Sequence, residues 1–232
     1  MKIWIFVEGP ADVGGLDTLF EKWNSELKKR GHGISIIQLE GKSKYLKKIG
    51  PRAARILFDN EKDLVIGLPD LYPNEPYMGD GSLKHGNLDE LKLVQERLVK
   101  NALSGIFGVN GGLLKKFMER FYATALKHDL EMLLLASVAQ LRTHLKTSDR
   151  LSGQWEKPVE NQNQTKPPKR IVEDLFRRYR GKSYRDTKDA PAVLRKVTNL
   201  RETIFYNSNI NCPEFKAMLD WMASKIGEPA YR

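Results

Sequence analysis

With one cysteine, Cys212, the chain cannot form an intramolecular disulfide and has too few thiolates for a cysteine-based zinc site. That scarcity fits a reducing compartment, and the cytoplasm is the expected location. Long hydrophobic runs are also lacking. None approaches the roughly 20 residues that a membrane span needs, so no membrane partner is expected. Before Glu8 there is one lysine and the apolar stretch 3–7. A signal peptide needs a longer apolar region, and none is expected. No Walker-type glycine loop is present, which argues against ATP hydrolysis by the chain itself.

What is present is an ordinary globular composition. The 232 residues are 41% hydrophobic and 29% charged, enough for one large domain or one domain with an elaborate second half. The net charge of +10 is unevenly spread. Residues 142–201 hold 16 Lys and Arg against 7 Asp and Glu, a surplus of +9. Such asymmetry favours a polyanionic partner, DNA or RNA; the alternative is a solvated surface with no partner.

Periodicity organises the first part as β-α-β-α-β. Residues 3–7 are a short apolar run, as in a buried strand. Residues 12–30 follow with helical spacing (Val13, Leu16, Leu19, Phe20, Trp23, Leu27), and Gly31 and Gly33 end the pattern. A strand over 34–39, a helix over 43–58 and a strand over 63–68 come next. This order implies a mainly parallel sheet flanked by helices. Residues 71–87 are expected to form a loop, 88–102 a helix, 117–125 a strand or the start of a helix, and 129–145 a helix. Residues 106–112 are glycine-rich. The polar stretch 152–169 is expected to be a long mobile loop. Helices are expected over 171–180, after Pro167 and Pro168, and over 213–226.

Acids fall where strands end. Glu8 closes the first strand and Asp70 follows the third, so a parallel sheet places both at its carboxyl edge, where sites form. Paired carboxylates suit a hard cation such as Mg²⁺, although each acid could instead cap a helix or pair with a lysine. Glu131 lies inside the run Leu130, Met132, Leu133, Leu134, Leu135. Buried there it needs a partner or a metal; otherwise it faces water with the leucines behind it. His128 would share its face, as a site residue or a structural one. Asp12 either caps the following helix or sits near a bound cation. Lys42, after Gly41, and Lys169, after the two prolines, are candidate phosphate-contacting lysines.

The stretch Val7-Glu8-Gly9-Pro10-Ala11-Asp12 resembles the VEGPTE-like opening of Toprim domains, found in topoisomerases, primases and several nucleases. In that family an Asp-x-Asp pair follows a later strand. Here Asp70-Leu71-Tyr72 keeps the first aspartate and has tyrosine for the second. The whole chain resembles, in order, small stand-alone Toprim-like bacterial proteins that are often associated with phage-defence gene clusters. The matching segments are residues 128–137 (HDLEMLLLAS), Pro168-Lys169-Arg170, Lys182-Ser183-Tyr184 and residues 211–216 (NCPEFK). Many members have aspartate where this chain has Ser137.

The resemblance implies a Toprim-like Rossmannoid α/β core over 1–150 and a basic, mainly helical extension over 151–232. It also implies a nuclease dependent on Mg²⁺ or Mn²⁺, acting as the effector of an anti-phage defence system. On that reading Asp70 and Glu131 hold the metal, with Glu8 and Asp12 beside it. Glu8 binds the metal or serves as general acid or base, and Lys42 or Lys169 stabilises charge on the phosphate. Lys169, Arg170, Arg177, Arg178, Arg180, Lys182 and Arg185 grip the nucleic-acid backbone. The other reading is a non-catalytic scaffold beside an ATPase encoded nearby, which the missing second aspartate and Ser137 favour.

Overall fold

The computed structural model describes residues 1–72, 77, 79–206 and 208–227. The chain gathers into two compact units: Met1–Gly9 with Asn24–Ala125, and Pro10–Trp23 with Leu126–Arg232. The sequence reading divides the chain at residue 150 instead. No change in composition marks the break after Ala125, because it depends on which segments pack together.

The first unit is built on four parallel strands, β1 (Lys2–Val7), β2 (Gly33–Gln38), β3 (Leu64–Gly67) and β4 (Phe121–Ala123), in the order β2-β1-β3-β4. Ile5 sits level with Ile36 on one side and Ile66 on the other, and Val65 with Phe121. The apolar runs explain β1 and β3: Ile3, Ile5, Val65 and Ile66 are fully buried, as strands of a parallel sheet generally are. The class is therefore α/β, a four-stranded parallel sheet flanked by helices, as expected. Because the strands are parallel, all four carboxyl ends lie along one edge.

The helices are α1 (Pro10–Lys29), α2 (Lys42–Asp59), α3 (Leu88–Phe107) and α4 (Gly111–Met118). Only the end of α1, from Asn24, counts with the first unit. There the Asn24 amide donates to the Ile34 carbonyl and accepts from its N–H, at 3.1 and 2.8 Å. Tyr45, Leu46, Ile49, Ala53 and Leu57 of α2 join Leu91, Val94, Val99 and Leu103 of α3 in one core. The two helices meet closely at Gly50, where an added Cβ would come 2.7 Å from the Leu98 carbonyl oxygen. At the amino edge of the sheet the Asp63 carboxylate accepts from the Lys2 N–H at 2.8 Å and the Trp4 indole at 3.0 Å. Arg120 donates to the carbonyls of Leu57, Asn60 and Asp63. These bonds fix the entry points of β1 and β3.

The second unit is mainly helical: α5 (Glu131–Ala136), α6 (Val138–Leu145), α7 (Pro168–Arg180), α8 (Asp186–Leu194), α9 (Arg201–Ile204) and α10 (Pro213–Ile226). A short antiparallel pair, β5 (Phe205–Tyr206) and β6 (Asn209–Ile210), precedes α10. Every residue of α5 is buried. Prolines open α7 and α10, and Gly181 and Gly227 end them. The buried Glu160 carboxylate accepts from the N–H groups of Glu214 and Phe215, at 3.0 and 3.1 Å, and so caps α10.

Several expectations change. The helix expected over 129–145 is broken at Ser137, whose backbone (φ −87, ψ 53) leaves the helical region. The Ser137 hydroxyl pairs with that of Thr203 at 2.8 Å, and both side chains are buried. The glycine-rich stretch 106–112 ends α3 at Gly108 and opens α4, and β4 follows at Phe121. The stretch 152–169 is packed rather than free. It holds two 3-10 turns, and Trp155, Val159, Glu160 and Gln162 are buried. Its amides bind its own backbone: Gln162 accepts from the Glu156 N–H and donates to the Lys166 carbonyl, both at 2.9 Å. The expected loop over 71–87 includes residues 73–76 and 78, and the expected extension over 151–232 includes 207 and 228–232; these lie outside the described residues. Among the described residues no helix is long and apolar enough to cross a membrane.

Candidate functional site

Acidic residues gather in each of the two units, at Glu8 and Asp70 in the first and around Glu131 in the second. In the first, backbone bonds continue past the strand ends and hold the carboxyl edge together. Leu39 N–H donates to Val7 O at 2.9 Å, Leu68 N–H to Phe6 O at 2.8 Å and Thr124 N–H to Gly67 O at 3.0 Å. Gly41 N–H donates to the Glu8 carbonyl at 2.7 Å, which locks the turn before α2 over the end of β1. Gly41 adopts φ 85 there, a conformation that a side chain would strain.

This turn delivers Lys42 between the two strand ends. Its ammonium donates to the Asp70 carbonyl at 2.7 Å and lies 3.3 Å from Glu8 Oε1. The Glu8 and Lys42 side chains are 9% and 14% exposed, so the pair is nearly buried. Glu8, Lys42 and Asp70 are thus brought together at the carboxyl edge. Lys42 is held by protein groups rather than presented to solvent, and the pairing alternative applies to Glu8.

A buried polar network lies beneath. The Tyr45 hydroxyl donates to Gln95 Oε1 at 3.1 Å, and Gln95 Nε2 donates to the Thr124 carbonyl at 2.9 Å. Burial, and then the charge of Glu8, push the Tyr45 and Tyr77 hydroxyls well above the ordinary tyrosine range. Both phenols keep their protons, and Tyr45 uses its own as a donor.

Asp12 belongs with the second unit. It is buried in the first turn of α1, one turn inside the position expected of a cap, and its charge suits the positive end of the helix.

The second acidic group surrounds the start of α5. Glu131 is 3% exposed, which decides between its two readings: it faces inward. Burial, and then the neighbouring Glu131 charge, push the Asp129 carboxyl up to about 8, against the pull of Lys169. Burial also raises Glu131, opposed by Lys169 and the Tyr184 hydroxyl. Lys169 donates to Asp186 Oδ2 at 3.1 Å. Burial disfavours its charge, but Glu131 and Asp186 outweigh that and raise its pKa. Asp129 Oδ1 and Glu131 Oε1 are buried and accept no hydrogen bond among the described residues. Two carboxyls so placed share protons unless a cation lets both ionise. Hard oxygen donors of this kind fit Mg²⁺ or Mn²⁺, which keeps several waters and needs only one or two carboxylates. Among the described residues no three His, Cys, Asp or Glu side chains are grouped so as to hold a metal ion.

Sequence reading did not single out Asp129, Tyr184 or Asp186 as site residues. Asp129 had a readable signal, an acid two positions before Glu131 at the head of the leucine run. Tyr184 and Asp186 reach the group by folding alone. His128 is buried, and burial lowers its pKa.

The basic residues divide. Lys169, Arg170, Arg177, Arg178 and Arg185 are exposed on or after α7. Arg180 donates instead to the His144 carbonyl at 2.6 Å, and Lys182 to the buried Asp189 at 2.9 Å. These last two hold the end of α7 against its neighbours in the same unit.

Residues 7–223 match a family described as a domain of unknown function, DUF4276. No match is found among curated proteins. Among solved structures, the chain is similar to the C-terminal region of the Burkholderia pseudomallei OLD protein. That similarity has 15% identity, a TM-score of 0.46 and coverage of 97% of this chain and 98% of the other. It is also similar to the C-terminal region of the Xanthomonas campestris pv. campestris OLD protein, at 17% identity and a TM-score of 0.40, covering 84% and 85%.

Proposed function

The chain belongs to the DUF4276 family, and we propose that it is a divalent-metal-dependent nuclease cleaving phosphodiester bonds of DNA or RNA. One observation carries the proposal: two buried carboxyl oxygens, Asp129 Oδ1 and Glu131 Oε1, accept no hydrogen bond among the described residues, with Lys169 beside them. An arrangement that leaves a buried oxygen of each acid unsatisfied costs stability and is kept where it has a task. The Toprim-like opening around Glu8 and the basic surplus in 142–201 support the same reading.

Glu8 and Asp70 are the acids of this function in the first unit, and Glu131 with Asp129 in the second; these residues would hold Mg²⁺ or Mn²⁺. When bound, the ion supplies positive charge to the phosphate and lowers the pKa of water. Lys169 places a permanent positive charge next to Glu131 and Asp129, suited to charge developing on phosphate oxygens. Lys42 pairs with Glu8 and orients it, so that Glu8 serves as metal ligand or general base. Exposed Arg170, Arg177, Arg178 and Arg185 bind phosphates without sequence choice. Asp12, near the start of α1, is an additional carboxylate in the second unit. The proposed setting is the cytoplasm, as effector of a bacterial anti-phage defence system. The test is cleavage of DNA and RNA with Mn²⁺, lost on chelation and in Glu8→Gln and Glu131→Gln.

A second reading has a specific observation behind it. Tyr72 replaces the second aspartate of the Toprim pair, Ser137 is occupied by Thr203, and Lys42 already neutralises Glu8. A scaffold that binds nucleic acid or a neighbouring ATPase without cleavage would tolerate all three. Calorimetric titration separates the readings: absence of binding at millimolar Mg²⁺ and Mn²⁺ favours the scaffold.

A further inference from the structure

The outward side of α2 carries a feature that none of the roles above uses. Lys44, Lys48, Arg52 and Arg55 recur along one side of the helix and all reach solvent. With a rise of about 1.5 Å per residue, neighbours in this row stand roughly 5–6 Å apart along the axis. Glu40 is shared between Lys44 and Lys48, and Arg55 pairs with Asp59. Arg52 has no hydrogen-bond or ion-pair partner among the described residues. The row is therefore only partly neutralised.

Two further features lie beside it. Between α2 and β2, which ends the order of the sheet, is a cavity of about 210 Å³. Lys48, Arg52 and Arg55 line it, together with Gln38, Leu39 and Glu40. At the far end of the same helix Phe58 is 45% exposed although it is a large apolar residue. Its ring is backed by Phe107 at a centroid distance of 4.5 Å and by Phe117 at 6.3 Å, both stacked. A ring so supported is held in place by its neighbours while nearly half of the residue stays open to solvent.

We infer that the α2 face binds single-stranded nucleic acid, with Lys48, Arg52 and Arg55 on successive phosphates and a base stacked on Phe58. Charge complementarity selects a polyanion. The exposed aromatic selects a single strand over a duplex, because only an unpaired base offers a free face. Cations and an exposed aromatic carried by one helix are the combination that binds strands without reading sequence. The inference rests on the nucleic-acid reading of the function and adds the form of the substrate.

The experiment uses the full chain, a fluorescein-labelled oligothymidylate and anisotropy at several salt concentrations, with EDTA present to prevent cleavage. Exposed substitutions are chosen so that folding persists, and melting curves verify it. Arg52→Glu with Lys48→Glu is expected to weaken binding at least tenfold. It should also lower the salt slope, by about 0.7 for each phosphate no longer neutralised. Phe58→Ala is expected to weaken binding severalfold at an unchanged slope, since stacking releases no counterions. A duplex of equal length should compete less well than the single strand.

Unchanged affinity and slope in the α2 variants overturn the inference, and so does preferential binding of duplex. Cleavage is followed in parallel with Mn²⁺. Cleavage by wild type with α2 variants that bind normally refutes the α2 assignment and leaves the nuclease reading standing. Salt-dependent binding through α2 without cleavage does the reverse.

Discussion

The Lys42 ammonium lies 3.3 Å from the Glu8 carboxylate and 2.7 Å from the Asp70 carbonyl, joining the ends of β1 and β3 through a single side chain. Charge compensation of Glu8 thus comes first from the protein itself. Removing one member of a nearly buried ion pair leaves the other charge poorly compensated. Lys42→Met is expected to lower stability by about 3–5 kcal/mol. Mn²⁺ should restore more of the loss than it adds to wild type, because a cation can stand in for the ammonium. Thermal melts with and without Mn²⁺ check this; equal metal responses count against Glu8 and Asp70 as ligands.

Glu131→Gln removes a buried charge whose Oε1 accepts no hydrogen bond among the described residues. In EDTA the variant is expected to melt at or above the wild-type temperature, since active-site acids trade stability for function. The metal-induced rise should shrink sharply. For wild type, saturation to about 100 times Kd corresponds to roughly 2.7 kcal/mol. A variant that keeps the full metal response contradicts the role given to Glu131.

Packing makes a separate prediction. Gly50→Ala forces a methyl against the Leu98 carbonyl oxygen, 2.7 Å from the added carbon, where neither helix backbone can give way alone. The expected loss is about 1–3 kcal/mol, measured by urea unfolding. A neutral result would mean that α2 and α3 separate without cost.

The pH dependence rests on Glu160. Burial raises its pKa, against the two N–H bonds from Glu214 and Phe215 that favour the charged form. The fold therefore keeps a proton that the unfolded chain has released. The Glu160 contribution is fully present below its unfolded value and is lost as pH rises through the higher folded value. As pH rises through and above the ordinary glutamate range, wild type should lose more stability than Glu160→Gln does. The variant should be less stable overall, because its amide cannot accept both N–H groups. Urea midpoints across that range measure both effects, and parallel pH curves refute the assignment.

Much of the first unit was legible because parallel strands announce themselves as short apolar runs. The residues 3–7 and 63–68 became β1 and β3, and the helical spacing of 43–58 became α2 within one residue at each end. Glu8 and Asp70 reached one edge for the reason the sequence suggests. The strand β4 was ambiguous because Phe121–Ala123 is too short to show a period. The break at Ser137 was hidden because the leucines continue helical spacing while a hydroxyl pair with Thr203 interrupts the backbone. Lys42 looked like a free phosphate ligand in sequence, since nothing in a Gly-Lys turn reveals that the ammonium folds back onto Glu8. Tyr184 and Asp186 lie more than fifty residues beyond Glu131 and meet its charge only through the packing of α7 and α8.

The most direct test of the central claim is incubation of purified chain with single-stranded and duplex DNA and RNA in Mn²⁺, with EDTA and Glu131→Gln as controls. The nuclease reading predicts cleavage by wild type that both controls abolish. Intact substrates throughout, or equal cleavage by Glu131→Gln, would contradict it.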